Sequence, residues 1–178
     1  GVSFLDAPVS GSRPAAEAGQ LVYLVGGDEA AFQRTRPLLL TLGATARHVG
    51  PVGHGALSKL VTNALLGIHV TALAELIGLL RQQNVAPESI LQAVATTPVW
   101  SPVDHYLAGS MLAGDFSPQF PVELIAKDFS YALATAKNQR SLPLTTAALA
   151  VFEEAIRSAL GDSNMTAVAQ LYSNQSSD

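Results

Sequence analysis

Three clusters of side chains carry the chemistry open to this sequence. Lys59 lies inside Ala56 to Leu80, a run that is otherwise largely apolar and a poor place for a solvent-facing lysine. Asn63 follows four residues later, on the same face of a helix. A partly desolvated amine beside an amide that orients it suits a general acid or base, able to protonate a carbonyl oxygen. The competing reading is a lysine snorkelling from near a helix start. Lys127 and Asp128 form a second pair within ELIAKDFSYA. Helical neighbours point about 100° apart, so one can face a cleft while the other borders it. An ordinary exposed charged pair is the alternative. Phe120 precedes Pro121 at the entrance to that helix, the place of a hydrophobic staple. The third cluster, Asp6–Ala7–Pro8–Val9–Ser10–Gly11–Ser12, follows a strand-like run. Small residues there let backbone N–H groups approach an anion closely. A surface turn satisfies the same pattern.

Several chemistries lack their residues. There is no G-x-x-x-x-G-K phosphate loop, no G-x-G-x-x-G dinucleotide fingerprint and no G-x-S-x-G elbow around Ser10. Gly26–Gly27–Asp28 reads as a turn into a helix. The four histidines, at positions 48, 54, 69 and 105, have no metal-ligand spacing, so no metal site is expected. His69 reads as a hydrogen-bonded core residue. Without cysteine, disulfides and thiolate metal sites are excluded.

The elements that must position these residues change character along the chain. Residues 3–6, 21–25 and, more weakly, 45–49 read as strands, with a helix from Asp28 to Leu42 before the last. Pro37 is placed to kink or break that helix, and Gly43 to cap its end. This β–loop–β–α–β unit has too few strands for a self-sufficient sheet, so further strands are expected before residue 1. From Gly53 onward the pattern is helical. Helices are expected over His54–Asn84, Pro87–Thr96, Pro102–Ala113, Pro121–Asn138, Pro143–Leu160 and Asn164–Ser173. Asp162 or Ser163 is the expected cap of the last, and the final five residues are expected to fray. The division falls between residues 1–52 and 53–178.

Composition narrows the classes further. Of 178 residues, 48% are hydrophobic and only 13% charged, which excludes intrinsic disorder. So little charge on several helices predicts self-association. The net charge is −4 and no basic run exists, which argues against nucleic acid as a partner. Lys59, Asn63, His69 and Glu75 interrupt the apolar run. A charge near a bilayer midplane costs about 2.5–3.5 kcal/mol. The run is therefore expected to be a helix buried nearly all round in a soluble protein, without a membrane partner. No signal peptide is visible behind Gly1, and a cytoplasmic location is expected.

In their order, these pieces resemble the β-hydroxyacid dehydrogenase family. DAPVSGSRPAAEAGQL resembles its substrate-loop signature and GHGALSKLVTNALLG its lysine signature, G-x-G-x-x-x-K with Asn four residues on. GDFSPQFPVELIAKDFSYAL and LGDSNMTAVAQLY resemble two further segments, so the likeness runs over essentially all of the chain. It implies a mainly α protein: an all-helical, 6-phosphogluconate-dehydrogenase-like C-terminal domain built on a long helix, preceded by a small α/β remnant of a Rossmann-type cofactor domain. It further implies that Lys59 is the catalytic acid/base and that Asn63 helps hold it and the substrate. Ser10, Gly11 and Ser12 would bind a substrate carboxylate, Phe120 and Asp128 would border the pocket, and Lys127 would touch the nicotinamide cofactor, NAD or NADP. The substrate would be a small 3-hydroxy acid or semialdehyde, and the assembly a homodimer or homotetramer through the helical part. Gly11–Ser12 replaces the family's usual Gly-Gly. With Arg13 after it, this variant resembles the glyoxylate/succinic semialdehyde reductase branch, which leans toward NADPH. Family members carry the glycine fingerprint on a preceding Rossmann domain, so this chain is expected to be part of a longer enzyme. Two other readings stay open: a non-catalytic helical oligomerisation module, and an imine reductase on the same architecture, which the lysine disfavours.

Overall fold

The β-branched and aromatic run after Leu21 forms the central strand of a small sheet in the computed structural model, which describes residues 1–137 and 142–173. This strand, β3 (Val22–Gly27), pairs along one edge with β1 (Leu5–Asp6) and β2 (Val9–Ser10), both antiparallel. The two short strands are halves of one edge, interrupted at Ala7–Pro8, and the Leu24 N–H bridges the gap to the Pro8 carbonyl at 2.9 Å. On the other edge β4 (Thr45–Gly50) runs parallel to β3. Between β2 and β3, where a plain loop was expected, lies the short helix α1 (Arg13–Glu17). Pro14 in its first turn favours that geometry.

Helix α2 (Glu29–Leu42) connects β3 to β4. Asp28 caps it by accepting from the Ala31 N–H at 2.8 Å, and Gly43 ends it. The helix runs through Pro37 without a break. Helix α3 (His54–Gln82) is a single element of 29 residues, followed by α4 (Pro87–Val94), α5 (Pro102–Ala113), α6 (Val122–Thr135) and α7 (Pro143–Arg157). The last element, Met165–Tyr172, is a 3-10 helix preceded by Asn164. Neither Asp162 nor Ser163 caps it, because the turn begins later and the Asn164 side chain is committed elsewhere. Asn138 and the five final residues lie outside the described residues.

By packing, the chain divides into two units, 1–63 and 64–178, with the division inside α3. The apolar cluster of the first unit is small: Val25, Phe32 and Ala46, supported by Leu5, Ala7, Tyr23 and Leu39. The second buries one continuous core from α3 through the closing helix, with Phe129, Phe152, Ile77, Leu107 and Met111 among its largest members. The buried positions on α6 (Val122, Ile125, Ala126, Phe129, Leu133) follow the helical repeat expected of one apolar face.

Helix α3 departs from the expectation of burial on nearly all sides. Val70, Ala74 and Ile77 are fully buried, but Leu57, Val61, Leu65, Leu76 and Leu79 are each about half exposed or more. Those five fall on one stripe of the helix. Its length and composition also meet the requirements of a membrane span, although Asn63 and Thr71 are buried on its inner face.

Candidate active site

Lys59 stands in the second turn of α3, half-buried, and Asn63 one turn further on is 3% exposed. Gly55, Lys59 and Asn63 recur every four residues, so they share one face of the helix. That face meets the sheet at Gly55. A Cβ there would lie 2.5 Å from the Leu24 carbonyl oxygen and 2.7 Å from that of Asp6. Only glycine lets the helix backbone come so close.

The Ser10–Ser12 loop leaves β2 in the same unit. Ser10 is the last residue of the strand, and Ser12 adopts extended backbone immediately before α1. Gly11 between them has φ +125°, and a Cβ there would sit 3.0 Å from both Ala15 Cβ and Leu21 Cδ2. The turn therefore requires glycine at position 11. Arg13 is tied to Glu17 by a 2.7 Å ion pair on the exposed side of α1.

Phe120, Lys127 and Asp128 belong to the helical unit. Phe120 is half-buried, with both backbone polar groups occupied: its N–H donates to Asn164 Oδ1 at 3.1 Å and its carbonyl accepts from Met165 N–H at 2.8 Å. Lys127 and Asp128 differ in exposure, the lysine side chain being 48% accessible and the aspartate 14%. The Lys127 ammonium lies 3.6 Å from Asp128 Oδ1 and 5.8 Å from the centroid of the Tyr131 ring. The structure thus gathers Lys59, Asn63 and the Ser10–Ser12 loop into the sheet unit, and Phe120, Lys127 and Asp128 into the helical unit.

Three ordering groups had no role of their own in the reading of the sequence. Asp6 accepts from the Gly53 and Ala56 N–H groups, both at 2.8 Å, and so holds the start of α3. Its signal was its place at the head of the loop signature. Asn164, 1% exposed, accepts from the Gln119 and Phe120 N–H groups and donates to Tyr106 Oη (3.0 Å) and Thr166 Oγ1 (2.8 Å). It thereby ties the GDFSPQFP segment to the closing helix. Asp104, 4% exposed, accepts from the Ser101 N–H and from His69 Nδ1, each at 2.8 Å. Burial pushes the Asp104 carboxyl up, but the Ser101 amide and then His69 together hold it below its ordinary 3.8. His69 was expected to be a hydrogen-bonded core residue; it has the hydrogen bond, with Asp104 as its partner, but its side chain is 30% exposed and lies at the edge of the core. Among the described residues no three His, Asp or Glu side chains are grouped to hold a metal ion.

A nicotinamide cofactor fits this chain in part. No stretch of it is the glycine-rich turn that receives a pyrophosphate, whereas Lys127, expected to touch the cofactor, is a half-exposed cation of a charge such a ligand can use.

Comparison with known proteins places this architecture. Residues 53–172 match the family model described as NAD-binding of NADP-dependent 3-hydroxyisobutyrate dehydrogenase. Residues 1–50 match the NAD binding domain of 6-phosphogluconate dehydrogenase. Among curated relatives, 2-(hydroxymethyl)glutarate dehydrogenase of Eubacterium barkeri is 34% identical over 97% of this chain and 58% of its own length. Glyoxylate/succinic semialdehyde reductase 2 of Arabidopsis thaliana is 32% identical over 96% of this chain and 48% of its own. The chain thus spans about half the length of these relatives. The solved 3-hydroxyisobutyrate dehydrogenase of Salmonella typhimurium superposes with a TM-score of 0.84 at 29% identity, over 95% of this chain and 60% of that one. The Mycobacterium tuberculosis 3-hydroxyisobutyrate dehydrogenase, solved with L-serine, gives 0.83 at 27% identity, over 95% and 60%. Both matching family models describe NAD-binding domains, so the cofactor is NAD or NADP. A helical unit of this form behind a short sheet, matched over nearly its whole length, makes the chain a member of the β-hydroxyacid dehydrogenase family.

Proposed function

We propose that this chain is the substrate and proton-transfer part of an NAD(P)-dependent oxidoreductase that interconverts a small 3-hydroxy acid and its semialdehyde. The observation that carries this reading is the shared face of α3, where half-buried Lys59 and buried Asn63 continue the line of Gly55 against the sheet. A bound nicotinamide would supply the hydride chemistry, as donor to the carbonyl carbon in reduction and acceptor from the hydroxyl-bearing carbon in oxidation. Lys59 gives its proton to the carbonyl oxygen during reduction and takes it back from the hydroxyl during oxidation. Asn63 orients the amine. Ser10, the Gly11 backbone and Ser12 hold the carboxylate end, which fixes the reacting carbon and removes rotational freedom before the reaction. Phe120 and Asp128 border the substrate, and Lys127 contacts the cofactor. The remainder of a chain as long as the relatives supplies the pyrophosphate cradle that these residues lack. The family match disfavours a purely structural module, and a lysine at the proton-transfer position disfavours imine reduction.

Kinetics of the full-length enzyme test the assignment. Lys59→Ala lowers kcat by at least about 100-fold and leaves cofactor Kd nearly unchanged. Lys59→Arg rescues little, because arginine does not release its proton. Lys127→Ala does the reverse, weakening cofactor binding more than turnover. A Lys59→Ala enzyme that keeps more than about a tenth of its turnover removes the proton-transfer role.

The exposed stripe of α3 supports a second part of the proposal, assembly of two or four copies through the helical part. From Leu57 to Leu79 it runs roughly 33 Å at the helical rise, interrupted on that side by the exposed Glu75. Light scattering at micromolar concentration gives a dimeric or tetrameric mass, and Val61→Glu lowers it; a monomeric mass for the unaltered protein refutes this assembly.

A further inference from the structure

Helix α3 begins without a capping side chain of its own, since the residue before it is Gly53. The first turn of any helix leaves backbone N–H groups without helical partners. Here two of them, on Gly53 and Ala56, are taken by the two oxygens of Asp6, which lies 47 and 50 positions earlier in the chain. We infer that Asp6 is a positioning residue: by clamping the start of α3 to the strand that leads into the Ser10–Ser12 loop, it sets where Lys59 stands relative to the sheet.

The geometry around the clamp leaves no slack. A Cβ at Gly55 would meet the Asp6 carbonyl oxygen and Oδ2, each at 2.7 Å, and a Cβ at Gly26 would collide with Asp6 Oδ1. Strand, carboxylate and helix backbone are therefore in direct contact on both sides of Asp6. Lys59 is one turn beyond Gly55 on the same face, about 6 Å along the axis. A regular helix transmits a shift of its first turn to its second, because the intervening backbone bonds keep it rigid. On the strand side, Ser10 is four residues after Asp6. One side chain thus links the loop read as holding the carboxylate and the helix read as holding the proton donor. Hydrogen bonds from N–H groups to an ionised carboxylate are about twice as strong as neutral ones, and a negative charge at a helix start is favoured by the helix dipole. Although burial opposes it, the Gly53 and Ala56 amides hold the Asp6 carboxyl below its ordinary value, consistent with a clamp that works in its charged form.

The inference rests on the reading of Lys59 as proton donor, and the test keeps the two apart. In the full-length enzyme, Asp6→Ala lowers kcat per folded molecule by about 10- to 100-fold, the scale of an ångström's misplacement, while cofactor Kd stays within about twofold. Amide exchange at Gly53 and Ala56 speeds up at least about tenfold, with Phe129 in the helical core unchanged. Asp6→Asn keeps one acceptor oxygen and restores part of both kcat and the protection. Because Asp6 acts through Lys59, adding Asp6→Ala to Lys59→Ala produces no further loss. An additive loss in the double variant overturns the inference, and so does an Asp6→Ala enzyme whose kcat per folded molecule stays within about twofold of the unaltered enzyme. If Asp6→Ala does not fold, Asp6→Asn decides: unchanged kcat with deprotected amides refutes the positioning role, and a parallel fall supports it. Lys59→Ala retaining its turnover marks the failure of the functional reading instead.

Discussion

The sheet unit buries Val25, Phe32 and Ala46, whereas the helical unit buries apolar side chains from every helix it contains. Order in the first comes largely from polar contacts that cross between elements. His48 Nε2 meets the Gly27 carbonyl at 2.8 Å and its Nδ1 meets Glu29 Oε2 at 3.0 Å, with Phe32 stacked on the ring. Asp6 binds the start of α3. In the second, apolar packing dominates, and the polar groups inside it are satisfied in networks such as Tyr106–Asn164–Thr166–Ser110. The contrast shows where a thin core leaves room for chemistry. Lys59, Asn63 and the Ser10–Ser12 loop are placed by backbone-to-carboxylate geometry and bare glycine contacts. Phe120 is placed by a buried asparagine inside a packed bundle.

The sharpest way to break that contrast is to delete the same ring from each unit. Phe152 is fully buried and packs edge-on against Phe129 at 5.6 Å, so Phe152→Ala costs about 4–5 kcal/mol. Phe32→Ala, in a core that collapses more easily around the lost ring, costs about 3 kcal/mol. Amide exchange within each unit's own elements reads both values, and a larger loss from Phe32 removes the distinction.

Next in size is Asn164→Ala. It strands the Gln119 and Phe120 N–H groups and takes a partner from Tyr106 and Thr166. Urea unfolding gives a loss of about 2–3 kcal/mol. If the loss stays below about 0.5 kcal/mol, the polar network does not hold the Phe120 segment, and apolar packing alone suffices there.

The smallest effect is a pH dependence from Asp104. Its carboxyl is held below 3.8 in the folded protein, so the unfolded chain binds the proton more readily. Its stabilising contribution is present above the ordinary carboxylate pKa and is lost as pH falls through the lower folded value. Asp104→Asn therefore flattens the acid limb of the stability profile below about pH 4. An acid limb that is the same in both proteins refutes the role of this pair.

Much of this is legible in the order and type of the residues. The unbroken apolar run without proline predicts one long helix from His54, and the structure has it over 29 residues. Asp28 and Gly43 mark the two ends of α2 because capping is a local event, settled by the residue types at the ends. Pro102 and Gly114 bracket α5 for the same reason. Lys59 and Asn63 share a face because helical geometry places every fourth residue together.

Tertiary structure alone decided the rest. That α3 is exposed along Leu57, Val61, Leu65, Leu76 and Leu79 depends on which neighbours reach it, and apolar composition is the same on both sides. The β2 strand and α1 were hidden in a loop of small residues, since two-residue pairing is specified by the partner strand β3. The caps on α3 and on the Phe120 segment come from Asp6 and Asn164, each far away in sequence. Hydrogen bonds between residues 40 to 50 positions apart leave no periodic trace in the chain, because only the folded backbone brings their donors and acceptors within reach.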